Sequence, residues 1–118
     1  MSKKFSSFQV VEMVLEDANE RFAPLFQPVQ ERVDFLKQYC DAFDVLIDEQ
    51  EADSFNVEVD ENDMTVHIDL VMMTVECSDS QPQLGQLIQR AMKFSVKDED
   101  GTNLRLSFVY PSLWEKTA

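Results

Sequence analysis

The chain contains little glycine, and this limits the cofactors that it can hold. Its only glycines are Gly85 and Gly101. Loops that cradle the phosphates of ATP, NAD or FAD need several glycines close together, because the main chain must approach the phosphate closely. The sequence therefore predicts no nucleotide cofactor, and no other motif predicts a different one.

Cysteine and histidine are also scarce. Cys40 and Cys77 stand far apart without a C-x-x-C motif, and His67 is the single histidine. Zinc sites built from Cys and His need closely spaced ligands, so no such site is predicted. Each cysteine is interpreted as a small buried apolar residue. Reduced cysteines and the lack of a signal-peptide pattern favour a cytoplasmic protein.

Long apolar runs are missing as well. No stretch approaches the ~20 apolar residues that a membrane helix requires, so no membrane association is predicted. The length of 118 residues is typical of one domain, and the 44% hydrophobic content is typical of a chain that forms a core. We expect a single domain over residues 1–118.

Basic residues are absent from the middle of the chain. Between Lys37 and Arg90 there are thirteen acidic residues and no Lys or Arg, so the formal net charge of -13 belongs to this segment. The negative electrostatic potential of this segment repels phosphates, which argues against nucleic acid as a partner. Two interpretations stay open, namely a solvated face that maintains solubility and a surface that docks onto a basic protein partner.

Two apolar stripes at helical spacing occupy the first half of the chain. The first runs through residues 5–22 and the second through residues 29–47, with Pro24 and Pro28 between them. This pattern predicts a helical hairpin, because proline disfavours a continuous helix. Ser6 or Ser7 is the candidate N-cap of the first helix.

The period changes to two after Ala52. Alternating apolar residues in segments 55–59 and 66–72 flank a polar turn at residues 60–63, and a second such pair lies at 92–96 and 104–110. A short helical pattern at residues 84–91 separates the pairs. The predicted fold class is α+β, with an N-terminal helical hairpin followed by a roughly four-stranded antiparallel sheet and a short helix between strands 2 and 3.

One strand is apolar on both faces, at Leu70, Val71, Met72 and Met73. A sheet with water on one side does not tolerate this pattern at its centre, so we expect a cover over Val71 and Met73. The first helix would provide the cover in a three-layer domain. A second copy of the chain would provide it in a homodimer, and both alternatives stay open.

Few residues suggest catalysis. His67 and Asp69 lie two apart on a strand and so project from one face, where they could form an acid–base or metal pair. The simpler interpretation is the polar side of a half-exposed strand, since no nucleophile motif accompanies them. The pattern favours a protein that is not an enzyme.

Other residues suggest binding. Asp41, Asp44 and Asp48 share one helix face, where they could meet a cation or a basic partner or simply be solvated. Trp114 either contacts a partner or folds back on the domain. Folding back is favoured because a lone exposed Trp lowers solubility.

In size, acidity and element order the chain resembles the acidic α/β chaperones of bacterial secretion systems, and in composition it is similar to small acidic immunity proteins. The resemblance implies a binding role, and it transfers no residue because no motif is shared. The expected function is non-catalytic protein binding of the adaptor, chaperone or immunity kind. Candidate partner-binding residues are Asp41, Asp44, Asp48, Val71, Met73 and Trp114. The alternative is a small metal-dependent or acid–base enzyme that uses His67 and Asp69.

Overall fold

The predicted α+β architecture is confirmed. A computed structural model describes residues 6–49, 54–73, 81–98 and 103–117. The helices are α1 (Ser7–Phe22), α2 (Gln30–Glu49) and α3 (Gln81–Arg90). The strands are β1 (Phe26–Pro28), β2 (Ser54–Val59), β3 (Val66–Met73), β4 (Lys93–Asp98), β5 (Asn103–Tyr110) and β6 (Trp114–Lys116).

The main sheet has four antiparallel strands in the order β2-β3-β5-β4. Its register follows the alternation in the sequence, because Val57 lies opposite Ile68, which lies opposite Phe108. Side chains at alternate positions therefore share one face. The turn predicted between β4 and β5 falls partly on residues 99–102, which lie outside the described residues.

The core forms on one face of this sheet. Ile68 and Phe108 are fully buried there, and the ring of Phe43 from α2 packs against Phe108 at 5.4 Å and against Phe55 at 5.4 Å. Residues of α1, α2 and α3 belong to the same hydrophobic cluster. The described part of the protein is therefore a two-layer arrangement of helices on a sheet.

Of the two alternatives for covering the second face of the sheet, a cover by α1 is not found in the structure. Val11, Leu15 and Ala18 of α1 are buried in the same core as Ile68. Val71 is three residues from Ile68 on β3, so it projects from the opposite face, and it is only half-buried. The buried residues of the α1 stripe pack against α2 and β2 on the inner side of the sheet, so α1 does not form a third layer.

A second, two-stranded sheet joins the interhelical connection to the C-terminal segment. β1 pairs with β6 in antiparallel fashion, with Pro28 opposite Trp114. Two main-chain bonds extend this pairing, from Val29 N to Leu113 O at 2.8 Å and from Thr117 N to Leu25 O at 2.9 Å. The sequence analysis missed both strands, since three residues are too few to display a period of two.

The start of α1 is capped from another helix and not by a neighbouring serine. The Ser6 side chain makes no capping bond, and the buried Ser7 hydroxyl donates to the Cys40 carbonyl at 2.9 Å. The Ser7 main-chain N–H instead donates to Asp44 Oδ1 at 3.0 Å. This carboxylate satisfies an unpaired helical N–H and lies at the positive end of the helix dipole. Ser6 therefore occupies the predicted N-cap position, but the capping bond comes from Asp44 and not from its side chain.

Candidate functional site

His67 and Asp69 are engaged by different neighbours. Both are half-buried on the outer face of β3, where Glu58 and Asn56 of β2 lie opposite them. His67 Nε2 lies 2.9 Å from Thr65 Oγ1, whereas Asp69 Oδ2 lies 3.6 Å from Arg105 Nη1. The pair therefore shares a face as predicted, but each member has its own partner.

His67 lies closer to two aspartates of the β2–β3 turn. Ligand-type atoms of Asp60, Asp63 and His67 all fall within 4.8 Å of one another. Both carboxylates already accept hydrogen bonds within the turn, since Asp60 Oδ1 accepts from Asn62 N at 2.7 Å and Asp63 Oδ1 accepts from Thr65 Oγ1 at 2.7 Å. The bonds from Thr65 lower the pKa of Asp63. The turn itself accounts for this grouping.

The three aspartates predicted on one face of α2 have different environments. Asp41 is exposed, and Asp44 is half-buried against the start of α1. The side chain of Asp48 is not among those that the structure describes. Asp44 therefore has a structural role, because it accepts a hydrogen bond from the first turn of α1, whereas Asp41 is a solvated carboxylate.

The outer face of the main sheet is mixed in character. Val71 lies there opposite Ser54 on one side and Arg105 on the other, and Arg105 pairs with Asp69. The side chain of Met73 is not among those described. A second copy of the chain covering Val71 and Met73 stays a prediction.

Trp114 is folded back into the domain. It is 3% exposed, its indole Nε1 donates to Asn19 Oδ1 at 2.7 Å, and its ring packs edge-on against Phe22 at 5.1 Å. In this position the ring offers no surface to a partner, so Trp114 is left out of the binding surface proposed below.

Cys40 is a buried thiol in the core, as the sequence predicted. Burial raises its pKa to about 11, so the sulfur is protonated at neutral pH and is a poor nucleophile. Cys77 lies outside the described residues.

A surface that the sequence analysis missed lies along α1. Met13 is 70% exposed, and it lines one shallow hollow with Phe8, Glu12 and Glu16. It also lines an open groove of about 560 Å³ between α1 and β2, together with Asp17, Glu58 and Glu61. We call these residues the acidic face: Phe8, Glu12, Met13, Glu16, Asp17, Glu58 and Glu61. Exposed apolar atoms are thus bordered by five acidic residues, of which Glu58 lies on β2 at the edge of the sheet.

Two basic residues adjoin the acidic face: Lys37, whose Nζ lies 5.5 Å from the centre of the Phe8 ring, and Arg21, which is already paired. Arg21 Nε lies 3.0 Å from Asp17 Oδ2, and Arg21 Nη1 lies 2.8 Å from Glu61 Oε1. Among the residues that the structure describes, Glu58 has no Lys or Arg within ion-pair distance. The surface therefore keeps a negative potential, which is only partly neutralised.

One signal for this surface was available in the sequence. Met13 lies outside the stripe formed by Phe8, Val11 and Leu15, so a helix that buries the stripe leaves Met13 in solvent. The position of Glu58 beside α1 depends on tertiary packing and has no local signal. Phe8, which the stripe placed in the core, is 40% exposed.

Comparison with protein-family models, curated proteins and solved structures yields no match. Among the described helices, none has the length and apolarity needed to cross a bilayer.

Proposed function

We propose that the protein is a non-catalytic binding protein that engages a basic, partly apolar segment of another protein through the acidic face. The observation that carries the proposal is Met13, which is 70% exposed and lines two depressions whose other members include five acidic residues. Exposed apolar surface rimmed by charge is typical of protein interaction sites. A role of the adaptor, chaperone or immunity kind fits this surface.

The charge of the surface selects the kind of partner. Glu12, Glu16 and Glu58 attract Lys and Arg side chains, and complementary potentials both speed encounter and reject wrong partners. A second copy docking face to face would bring like charges together, which is unfavourable. Phosphate groups would be repelled for the same reason. A basic polypeptide satisfies both the carboxylates and the exposed apolar atoms of Met13 and Phe8.

The enzymatic alternative has weaker support. Each member of the His67 and Asp69 pair is engaged by its own neighbour, Thr65 or Arg105. The hydroxyl that lies beside His67, that of Thr65, is buried and donates to Asp63 Oδ1 at 2.7 Å, and the buried Cys40 thiol is protonated at neutral pH. The binding proposal is therefore preferred.

Mapping a model partner by nuclear magnetic resonance tests the location of the site. The probe is a short synthetic peptide in which lysine alternates with leucine, titrated into ¹⁵N-labelled protein at low salt. We expect the largest amide shift changes at Met13, Glu16 and Glu58. Changes confined to the outer face of the sheet around Val71, or spread evenly over all exposed acids, would contradict the proposal.

A further inference from the structure

A third depression lies on another part of the molecule and is lined by basic side chains instead of acidic ones. It is a cleft of about 220 Å³ between α2, the C-terminal end of α3 and the segment that follows β5. Its aromatic members are Phe35, Tyr39 and Tyr110, and we call it the aromatic cleft. This volume equals that of about seven waters at roughly 30 Å³ each in the liquid, so the cleft has room for a small organic molecule.

The floor of the aromatic cleft is buried and largely apolar. Leu36, Tyr110 and Leu113 are buried at 2%, 3% and 4% exposure, so they form its floor. The rings of Tyr39 and Tyr110 stack at 5.6 Å, and the Tyr110 hydroxyl donates to the Leu87 carbonyl at 3.0 Å. Phe35 is 44% exposed at the same cleft, which leaves part of an aromatic ring available to a ligand.

The ionisable side chains of the aromatic cleft favour an anion. Arg32 and Arg90 line it, and among the described residues no Asp or Glu does, although Asp and Glu outnumber Lys and Arg by 23 to 10 in the chain. Two guanidinium groups beside aromatic walls match a carboxylate carried on an apolar body, because arginine binds carboxylates through paired N–H donors.

The aromatic cleft has hydrogen-bond donors that remain available to such a ligand. Arg32 Nη1 makes two long bonds of 3.4 Å, to the carbonyls of Ser112 and Trp114, and its Nη2 lies 3.8 Å from Glu115. Within the described ranges, Arg90 has no ion-pair partner and the Tyr39 hydroxyl makes no hydrogen bond. The helix dipole explains a basic residue at the end of α3, but it does not explain why that residue lines an aromatic cleft.

We propose that the aromatic cleft binds an organic carboxylate with an apolar or aromatic body, held by Arg32 and Arg90. The carboxylate belongs either to a free small molecule or to the C-terminus of an apolar peptide. This site is separate from the acidic face, and its existence does not depend on the function proposed above.

The test uses the full chain and simple probes. Phenylpropionate is titrated into ¹⁵N-labelled protein beside its neutral amide and the cationic phenylpropylamine. We expect saturable shift changes at Tyr39 and Leu113 for the carboxylate, and affinity at least tenfold weaker for the amide and the amine, because each lacks the charge-assisted bonds. A peptide ending in Phe, compared as free acid and as amide, shows whether a protein C-terminus binds more tightly than the small molecule.

Two variants and a matched control complete the test. Arg90→Gln is expected to weaken phenylpropionate binding about tenfold. Phe35→Ala is expected to weaken it without changing the preference for the charged probe. Lys97→Gln removes the same charge from exposed β4, outside the cleft, and is expected to leave affinity unchanged. Equal binding of acid and amide, equal effects of Arg90→Gln and Lys97→Gln, or no shift at millimolar probe would overturn the proposal.

Discussion

Replacing Glu16 and Glu58 together by lysine is expected to weaken binding of the lysine–leucine peptide by about a hundredfold. Each substitution turns an attraction into a repulsion at the acidic face, and about 1.4 kcal/mol per site corresponds to a factor of ten. Both side chains are exposed, so the fold tolerates the change. Fluorescence anisotropy of a labelled peptide at low salt measures the affinity.

The control is a second double variant with the same net charge as Glu16→Lys, Glu58→Lys, but with its substitutions at other positions. Glu31→Lys with Glu115→Lys adds the same charge at exposed positions that do not line the acidic face. We expect this variant to bind within about threefold of the unchanged protein. If the two double variants lose affinity equally, binding follows the overall charge of the chain and the acidic face is not a site.

Trp114→Ala is expected to lower the free energy of unfolding by about 3–5 kcal/mol, which is the usual cost of emptying a buried aromatic position. That is a large part of the roughly 5–15 kcal/mol that stabilises a typical domain. The indole fills the space between β6 and α1, where it packs against Phe22 and bonds Asn19. Urea unfolding followed by circular dichroism measures the loss.

Trp114→Phe separates packing from hydrogen bonding. The smaller ring keeps most of the contact with Phe22 but leaves Asn19 Oδ1 without its donor, which costs about 1–2 kcal/mol. If Trp114→Ala lowered stability by less than about 1 kcal/mol, the ring would not be part of the core, and its exclusion from the binding surface would be unjustified.

The main sheet could be predicted from the sequence because its strands alternate cleanly. The switch from a period of 3.6 to a period of two places β2 and β3 within a residue or two of their observed bounds. The hairpin turn at residues 60–63 was equally visible, since Asp and Asn bond their own main chain there, as Asp60 does. The local pattern of apolar and polar residues was therefore sufficient to predict these strands and their turn.

Features that depend on tertiary packing could not be predicted in this way. Asp44 was grouped with Asp41 by helical spacing, and only the packing of α1 against α2 turns it into a cap for Ser7. The apolar pattern around Val71 suggested a cover, but pattern alone does not say which element provides it. In the same way, Glu58 joins Met13 only after β2 packs beside α1.

The dependence of peptide affinity on salt tests the electrostatic basis of the proposed function most directly. Raising the ionic strength from about 0.01 M to about 0.15 M shortens the Debye length from about 30 Å to about 8 Å, so exposed charges interact more weakly. We expect the affinity of the unchanged protein to fall at least tenfold, and that of the Glu16→Lys, Glu58→Lys variant to change little. Equal affinity of the unchanged protein at both salt concentrations would contradict a site built on carboxylates.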